Sequence, residues 1–161
     1  MVTTGNAMQE HALKINDQPW FKQHSNYLHH EKLDHFIEKN GSYFAGFHLI
    51  ADFWGCSYLD DLERMENAMR DAIEKAQATL LHIHLHHFTP NGGISGVAVL
   101  AESHISVHTW PECSFAAFDI FMCGKAKPHL AIETLRYAFA PQKYHVNELK
   151  RGVIKEKEYV L

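Results

Sequence analysis

The chain has 161 residues, of which 46% are hydrophobic and 12% aromatic, and this content is sufficient for one globular domain with a buried core. Fifteen Lys and Arg residues against nineteen Asp and Glu residues give a net charge of −4, which argues against a protein that binds nucleic acid or anionic membranes. The sequence shows no signal-peptide pattern, no apolar run of the roughly eighteen residues needed for a transmembrane helix, and only three cysteines, so we expect a cytoplasmic protein with reduced thiols.

The first three predicted elements are a helix, a strand and a second helix. Aromatic and aliphatic residues can form one apolar face of a helix over about Asn26–Lys39. The aromatic and apolar segment Phe44–Trp54 is typical of a strand, which Gly55 closes. Apolar residues then recur at helical spacing, and this predicts an amphipathic helix over about Asp60–Ala78 that packs on a sheet.

Further strands and one more helix follow. Leu80–Thr89 is a predicted strand, and the turn residues Pro90–Gly93 separate it from the next apolar segment, Val97–Leu100. Another strand is predicted over about Phe115–Met122. The last predicted helix begins near Pro128 and ends before Pro141, and a last strand covers Tyr144–Leu149. From the strand Phe44–Trp54 onward, the predicted order is β-α-β-β-β-α-β.

Three histidines alternate along the predicted strand Leu80–Thr89. Strand geometry places His82, His84 and His86 on one face, where imidazoles could bind zinc or nickel. No convergent carboxylate accompanies them in the sequence, so a metal cofactor is not expected. The alternative is a strand whose histidine face lies at an interface or near solvent, while Leu81, Ile83 and Leu85 face a helix.

The most specific motif is Ala-Glu-Ser-His-Ile-Ser-Val-His-Thr-Trp-Pro-Glu over residues 101–112, followed by Phe-Asp-Ile-Phe-Met-Cys-Gly over 118–124. A lone Ser and His at this spacing, or a lone Cys in an apolar run, is ordinary in strands and cores. Their combination within about thirty residues closely resembles the processing and active site of the prokaryotic S-adenosylmethionine decarboxylases. The resemblance extends over about Gly46–Gly152.

The resemblance implies a proenzyme that makes its own cofactor. In that family the Glu–Ser bond, here Glu102–Ser103, breaks, and the serine becomes a pyruvoyl group that forms a Schiff base with the substrate amine. Ser103 would attack the carbonyl of Glu102, Ser95 would assist processing, and His108 would remove the Ser103 α-proton. Cys123 stands where the family has its proton donor. Neither pyridoxal phosphate nor a metal is expected.

Substrate contacts also follow from the resemblance. Phe88 occupies the position of an aromatic ring that stacks on adenine, and Glu112 that of an acid that binds the ribose hydroxyls. Outside the motif, a core aromatic and a solvated turn would be the ordinary interpretations of these residues. The expected substrate is S-adenosylmethionine, and the expected product is the aminopropyl donor for spermidine synthesis.

The family's protomer is an α+β two-layer sandwich, a largely antiparallel sheet with helices on one face. Its sheets pair in a homodimer that builds two active sites at the interface. The implied organisation is an extension over residues 1–43 and a decarboxylase domain over 44–161, cleaved into a β chain, 1–102, and an α chain, 103–161. The extension could support the dimer, cover the active site or bind a partner.

Two alternatives and one departure remain open. A pyruvoyl enzyme could act on a free basic amino acid, ornithine or arginine, although Phe88 and Glu112 argue for a nucleoside. An unprocessed homologue could act as a binding partner, although Ser95, Ser103 and His108 form an intact processing set. The turn over residues 91–95 is one residue longer than is usual in the family, which could shift Phe88 or Ser95.

Overall fold

The computed structural model describes residues 36–90 and 92–155. Its main feature is a six-stranded sheet with the order β4-β5-β6-β7-β3-β8, in which every neighbouring pair is antiparallel. The strands of the chain are β1 (Ile37–Lys39), β2 (Ser42–Phe44), β3 (Gly46–Trp54), β4 (Leu80–His87), β5 (Ile94–Leu100), β6 (Ser103–Trp110), β7 (Phe115–Cys123), β8 (Lys143–Arg151) and β9 (Ile154–Lys155). A short 3₁₀ helix, Pro111–Cys113, links β6 to β7.

Two helices cover one face of this sheet. Helix α1 spans Leu62–Lys75, and its first turn is capped by Asp61, whose side chain accepts a hydrogen bond from the Arg64 backbone N–H at 2.9 Å. Helix α2 spans Pro128–Phe139. Proline suits the first turn because its missing N–H has no intrahelical partner there. The α2 helix ends at Ala140 in the left-handed conformation.

The core lies between the helices and the sheet. Alternate residues of the central strands, such as Leu49, Ile105 and Ile120, are fully buried against the apolar stripes of α1 and α2. Between the helices and the sheet, Phe139 of α2 packs on Phe118 of β7, with ring centroids 6.0 Å apart. The expected α+β two-layer sandwich, with helices on one face, is therefore confirmed.

The opposite face of the sheet, called the open face below, has no covering layer among residues 36–90 and 92–155. Its side chains include exposed apolar residues that a solvated sheet face rarely carries. Val97 and Val99 are 37% and 42% exposed, and Trp54 and Trp110 are 36% and 41% exposed. No helix of the described part of the chain is long and apolar enough to span a membrane.

The predicted order of helices and strands along the chain is wrong in one respect. Four strands, and not three, separate α1 from α2, because the polypeptide reverses direction between Leu100 and Ser103. The sequence segment assigned to one strand and a catalytic motif is in fact the hairpin of β5 and β6. Its loop is Ala101-Glu102, a pair that lacks the usual turn residues.

Two local predictions are also wrong. The helix predicted over about Asn26–Lys39 does not reach its expected end, since Ile37–Lys39 form β1 and residues 1–35 lie outside the described part. Strand β1 pairs with β2 through Asn40-Gly41, both at positive φ, which is the usual two-residue hairpin turn. Leu81 does not face a helix but is 65% exposed, because a register shift between Leu80 and His82 turns Leu80 inward in its place.

Candidate active site

The Glu102–Ser103 bond lies at the end of the β5–β6 hairpin. Leu100 pairs with Ser103, so Ala101-Glu102 form a two-residue loop, and the Ala101 N–H donates to the Thr79 carbonyl at 2.9 Å. Glu102 has a φ of 65°. A residue with a side chain is strained in this left-handed region, at a cost of order 1–3 kcal/mol. The peptide bond that the sequence motif singles out is therefore next to a strained residue.

Ser103 lies against Cys123 of β7. The Cys123 backbone N–H donates a hydrogen bond of 3.2 Å to Ser103 Oγ, and both residues are partly buried. Burial raises the pKa of the Cys123 thiol, and the negative charge of Glu102 raises it further. The thiol therefore remains protonated at neutral pH, the state that a proton donor needs.

Ser95 and His108 form a second contact on the open face. They are register partners in β5 and β6, and Ser95 Oγ lies 2.8 Å from His108 Nδ1. The register follows directly from the two-residue loop, since pairing Leu100 with Ser103 also pairs Ser95 with His108. This geometry gives a hydroxyl and an imidazole within hydrogen-bonding distance.

A pocket of about 220 Å³ surrounds the Ser95–His108 pair. Its walls are formed by Phe88, Gly93, Ser95, His108, Thr109, Trp110 and Glu112. Phe88 is 48% exposed, and its N–H donates to the Gly93 carbonyl at 2.7 Å. A Cβ at Gly93 would lie 2.9 Å from the Thr109 carbonyl oxygen, so this wall requires glycine.

Buried Thr109 fixes the pocket floor. The Ile94 N–H donates to Thr109 Oγ1 at 2.7 Å, and the same hydroxyl donates to the Leu59 carbonyl at 2.9 Å. The hydroxyl is fully satisfied although it is buried. These bonds connect β5, β6 and the segment before α1, and they hold the strands beside the pocket in register.

The predicted site residues thus fall into two separate groups within one chain. The cleavage group contains Glu102, Ser103 and Cys123, and the pocket group contains Phe88, Ser95, His108 and Glu112. Ser103 and His108 are five positions apart on the same strand, which corresponds to about 17 Å.

A polar cluster on the open face, not singled out by the sequence analysis, lies between the two groups. Arg151 Nη1 donates to His48 Nδ1 at 3.0 Å, and Ser106 Oγ donates to Asp119 Oδ2 at 3.3 Å. Since arginine only donates, the His48 proton is on Nε2, which lies 3.6 Å from Asp119 Oδ1 and makes no hydrogen bond with the described residues.

His104 completes this cluster. Burial lowers the pKa of His104, and the nearby His48 lowers it further, whereas Asp119 raises it. The signal in the sequence was polar residues at alternate positions within apolar strands, such as Asp119 between Phe118 and Ile120. Strand order decides which of these residues meet, and no local pattern gives the strand order.

The predicted alternation of β4 is confirmed for its histidines. His82, His84 and His86 are exposed, and they pair with Val99, Val97 and Ser95 on the open face. Among residues 36–90 and 92–155, no group of three or more His, Cys, Asp or Glu side chains is placed to hold one metal ion.

Comparison with known proteins identifies the family. The family model described as S-adenosylmethionine decarboxylase matches residues 47–152. The S-adenosylmethionine decarboxylase proenzyme of Thermomicrobium roseum is 44% identical over 110 residues, which cover 68% of this chain and 95% of that protein. The proenzyme of Methanococcus maripaludis is 44% identical over 116 residues, with 70% and 94% covered. The chain belongs to the S-adenosylmethionine decarboxylase family.

A solved structure of this family agrees with the fold. The crystal structure of the adenosylmethionine decarboxylase from Aquifex aeolicus aligns with a TM-score of 0.64 and 30% identity, and the alignment covers 70% of this chain and 95% of that one. The family match begins at residue 47, within β3, and ends at 152, just after β8. The family's domain is therefore the six-stranded sheet with its two helices.

Proposed function

We propose that this chain is an S-adenosylmethionine decarboxylase that cleaves itself between Glu102 and Ser103 to form a pyruvoyl group. The observation that carries the proposal is the position of this bond at the end of the two-residue β5–β6 loop. Glu102 has a positive φ there, and Ser103 Oγ accepts a hydrogen bond from the Cys123 N–H. The family match and the proenzyme names of its relatives support it. The product would be decarboxylated S-adenosylmethionine, used in spermidine synthesis.

Processing needs a nucleophile next to a reactive amide. Ser103 Oγ follows the Glu102 carbonyl directly in the chain, and its attack would exchange the amide bond for an ester. Strain at Glu102 favours this step because a broken loop can relax. The negative oxygen that develops on the Glu102 carbonyl requires a donor, a role we assign to Ser95. His108 would then remove the Ser103 α-proton, so that the ester eliminates the Glu102 carboxylate and leaves dehydroalanine, which water converts to the pyruvoyl group and ammonia.

The finished site needs an electron sink and a proton donor. The pyruvoyl ketone, once formed from Ser103, supplies the sink for the electrons released as carbon dioxide leaves. Cys123 supplies the proton, since burial and the charge of Glu102 raise its pKa and keep the thiol neutral. The new chain-end carboxylate of a cleaved Glu102 would strengthen this effect.

The pocket offers the groups that a nucleoside sulfonium requires. Phe88 and Trp110 provide aromatic faces, which attract both an adenine ring and a neighbouring cation. Glu112 provides a carboxylate that accepts hydrogen bonds from ribose hydroxyls. Free ornithine and arginine have neither an adenine ring nor ribose hydroxyls, so the combination of aromatic faces and a carboxylate favours S-adenosylmethionine.

The two groups of residues would meet only across a homodimer. His108 lies about 17 Å along β6 from Ser103, whereas a general base must be within about 3 Å of its proton. The open face, with exposed Trp54, Trp110, Val97 and Val99, is suited to pairing with a second copy. A two-fold axis would then place the pocket group of one protomer beside the cleavage group of its partner.

Intact mass and carbon dioxide release test the proposal. The denatured protein should separate into fragments of residues 1–102 and 103–161, and the Ser103→Ala variant should remain one inactive chain. Ser106→Ala is a matched control, because Ser106 is a serine of the same strand that lies away from the cleaved bond. Full activity of an uncleaved chain would refute the pyruvoyl mechanism, and faster release from ornithine or arginine would refute the substrate.

A further inference from the structure

The histidine row of β4, defined as His82, His84 and His86, has no part in the proposed mechanism. All three side chains are exposed on the open face. Their neighbours on β5 are Val99, Val97 and Ser95, none of which is charged. Strand β4 is the edge of the six-stranded sheet as described, so its face would lie at the rim of a face-to-face dimer and remain accessible to ions.

The spacing of the row suits a two-imidazole metal site. Successive side chains on one face of a strand are about 6.6 Å apart. Two imidazoles that lean towards each other can place nitrogens at the 2.0–2.1 Å metal–nitrogen distance of one ion, with waters completing its coordination. The outer two histidines are about 13 Å apart, so one ion takes two neighbours of the row. Imidazole ligands select zinc, copper or nickel over magnesium and calcium.

The strand irregularity distinguishes the two possible pairs. A register shift between Leu80 and His82 disturbs the strand at the start of the row. His84 and His86 lie beyond it, at consecutive regular pairs with Val97 and Ser95. These two imidazoles therefore have the more regular geometry, and only this pair has a hydroxyl beside it.

His86 also contacts the substrate pocket. Its ring meets Phe88 edge to face, with centroids 4.6 Å apart, and Phe88 forms a wall of the pocket. An ion shared with His84 would draw the His86 ring towards His84, and this would weaken its contact with the Phe88 ring. Occupancy of the metal site and the shape of the pocket are thus coupled through one ring contact.

We propose that His84 and His86 bind one divalent transition metal ion, and that the bound ion weakens substrate binding through Phe88. The second half of this inference rests on the proposed function, because it assigns Phe88 to the substrate pocket. The first half does not, since metal binding needs only the two imidazoles. The site would act as an inhibitory switch that responds to free metal.

Zinc titration of the full-length chain by calorimetry tests the site without turnover. The parent should bind saturably, and His84→Asn should weaken binding at least about tenfold, since even changes outside the ligand shell cost 10–100-fold. His82→Asn, on the same face of the same strand, is the matched control and should bind like the parent. Unchanged affinity in His84→Asn would overturn the site. An equal loss in His82→Asn would show that the ion binds His82 and His84, and would overturn the proposed pair of His84 and His86.

Kinetics then test the coupling. Zinc should raise KM for S-adenosylmethionine in the parent and in His82→Asn, and should have little effect on His84→Asn, whose KM without metal should equal that of the parent. Inhibition that persists in His84→Asn would place the ion elsewhere, for example on the Cys123 thiol, and would overturn the proposal. A chain that binds zinc through His84 but releases no carbon dioxide would refute the proposed function and leave the metal site standing.

Discussion

Co-expression of two inactive variants should restore activity if the active site is shared between protomers. Ser103→Ala lacks the pyruvoyl precursor, and His108→Ala lacks the processing base, so each homodimer should be inactive. In a mixed dimer, one site combines the intact Ser103 of the second variant with the intact His108 of the first. The other site lacks both residues.

The magnitude follows from symmetry. Random assortment makes half of the dimers mixed, and each mixed dimer has one competent site of two, so activity should return to roughly one quarter of the parent value. Activity can return only if each site takes Ser103 and His108 from different chains. The separation of about 17 Å along β6 predicts this, because it prevents His108 from reaching Ser103 of its own chain.

The assay is carbon dioxide release from co-expressed, differently tagged chains, with the mixed dimer isolated through both tags. The isolated mixed dimer should show about half of the parent activity and one cleaved chain of two. The chains should be mixed during synthesis, since under this proposal processing would occur in the assembled dimer. A mixed dimer that remains inactive and uncleaved would refute the shared site.

Other residues give separate predictions. Replacing Phe88 with Ala should raise KM for S-adenosylmethionine roughly 2- to 13-fold, from the loss of about 0.5–1.5 kcal/mol of stacking, while mass analysis should still find two fragments. Parent kinetics in this variant would remove Phe88 from the substrate site. Replacing Cys123 with Ala should slow decarboxylation by about 10²–10⁴-fold and slow cleavage less, and peptide mass analysis after turnover should find alanine at the α-chain N-terminus. Because the Cys123 pKa is raised, parent activity should decline only as pH rises above the usual thiol range, and an unchanged rate in Cys123→Ala would return this residue to a packing role. Burial also raises the pKa of Cys56 from 9.0 to about 11, so the unfolded thiol ionises first and the folded state should lose up to about 2.7 kcal/mol of stability as pH rises between these values. Urea unfolding of the uncleaved Ser103→Ala chain, with and without Cys56→Ala, at pH 8 and pH 11 checks this, and an equal pH dependence in both would contradict it.

The periodic elements could be predicted from the sequence because local signals agree there. Apolar residues such as Met65, Met69 and Ile73 recur at helical spacing and are all buried in α1. Pro128 begins α2, as expected of a first-turn proline. The Asn40-Gly41 pair also carried a clear hairpin signal, but the apolar spacing before it was interpreted as a helix.

The β5–β6 hairpin was harder to predict, because Ala101-Glu102 contains no residue that favours positive φ. The register of this hairpin determines which site residues meet. Once its loop is known, Ser95 must pair with His108, and Ser103 must lie far from both. The polar cluster around His48 and Asp119 could not be predicted, since it requires β3 and β7 to be neighbours and only tertiary packing decides this.

The strand order has a consequence for the lifetime of a cleaved molecule. Cleavage after Glu102 would leave β3 in the first fragment, inserted between β7 and β8 of the second. Within the six-stranded sheet, three ladders, β5–β6, β7–β3 and β3–β8, would then join the two fragments, so neither could leave without tearing the sheet. Once torn, the sheet would have to re-form from two separate molecules, and refolding would become concentration-dependent. The lifetime of the mature protein would therefore be set by its rate of unfolding. A cell would replace a denatured molecule by new synthesis of the uncut chain.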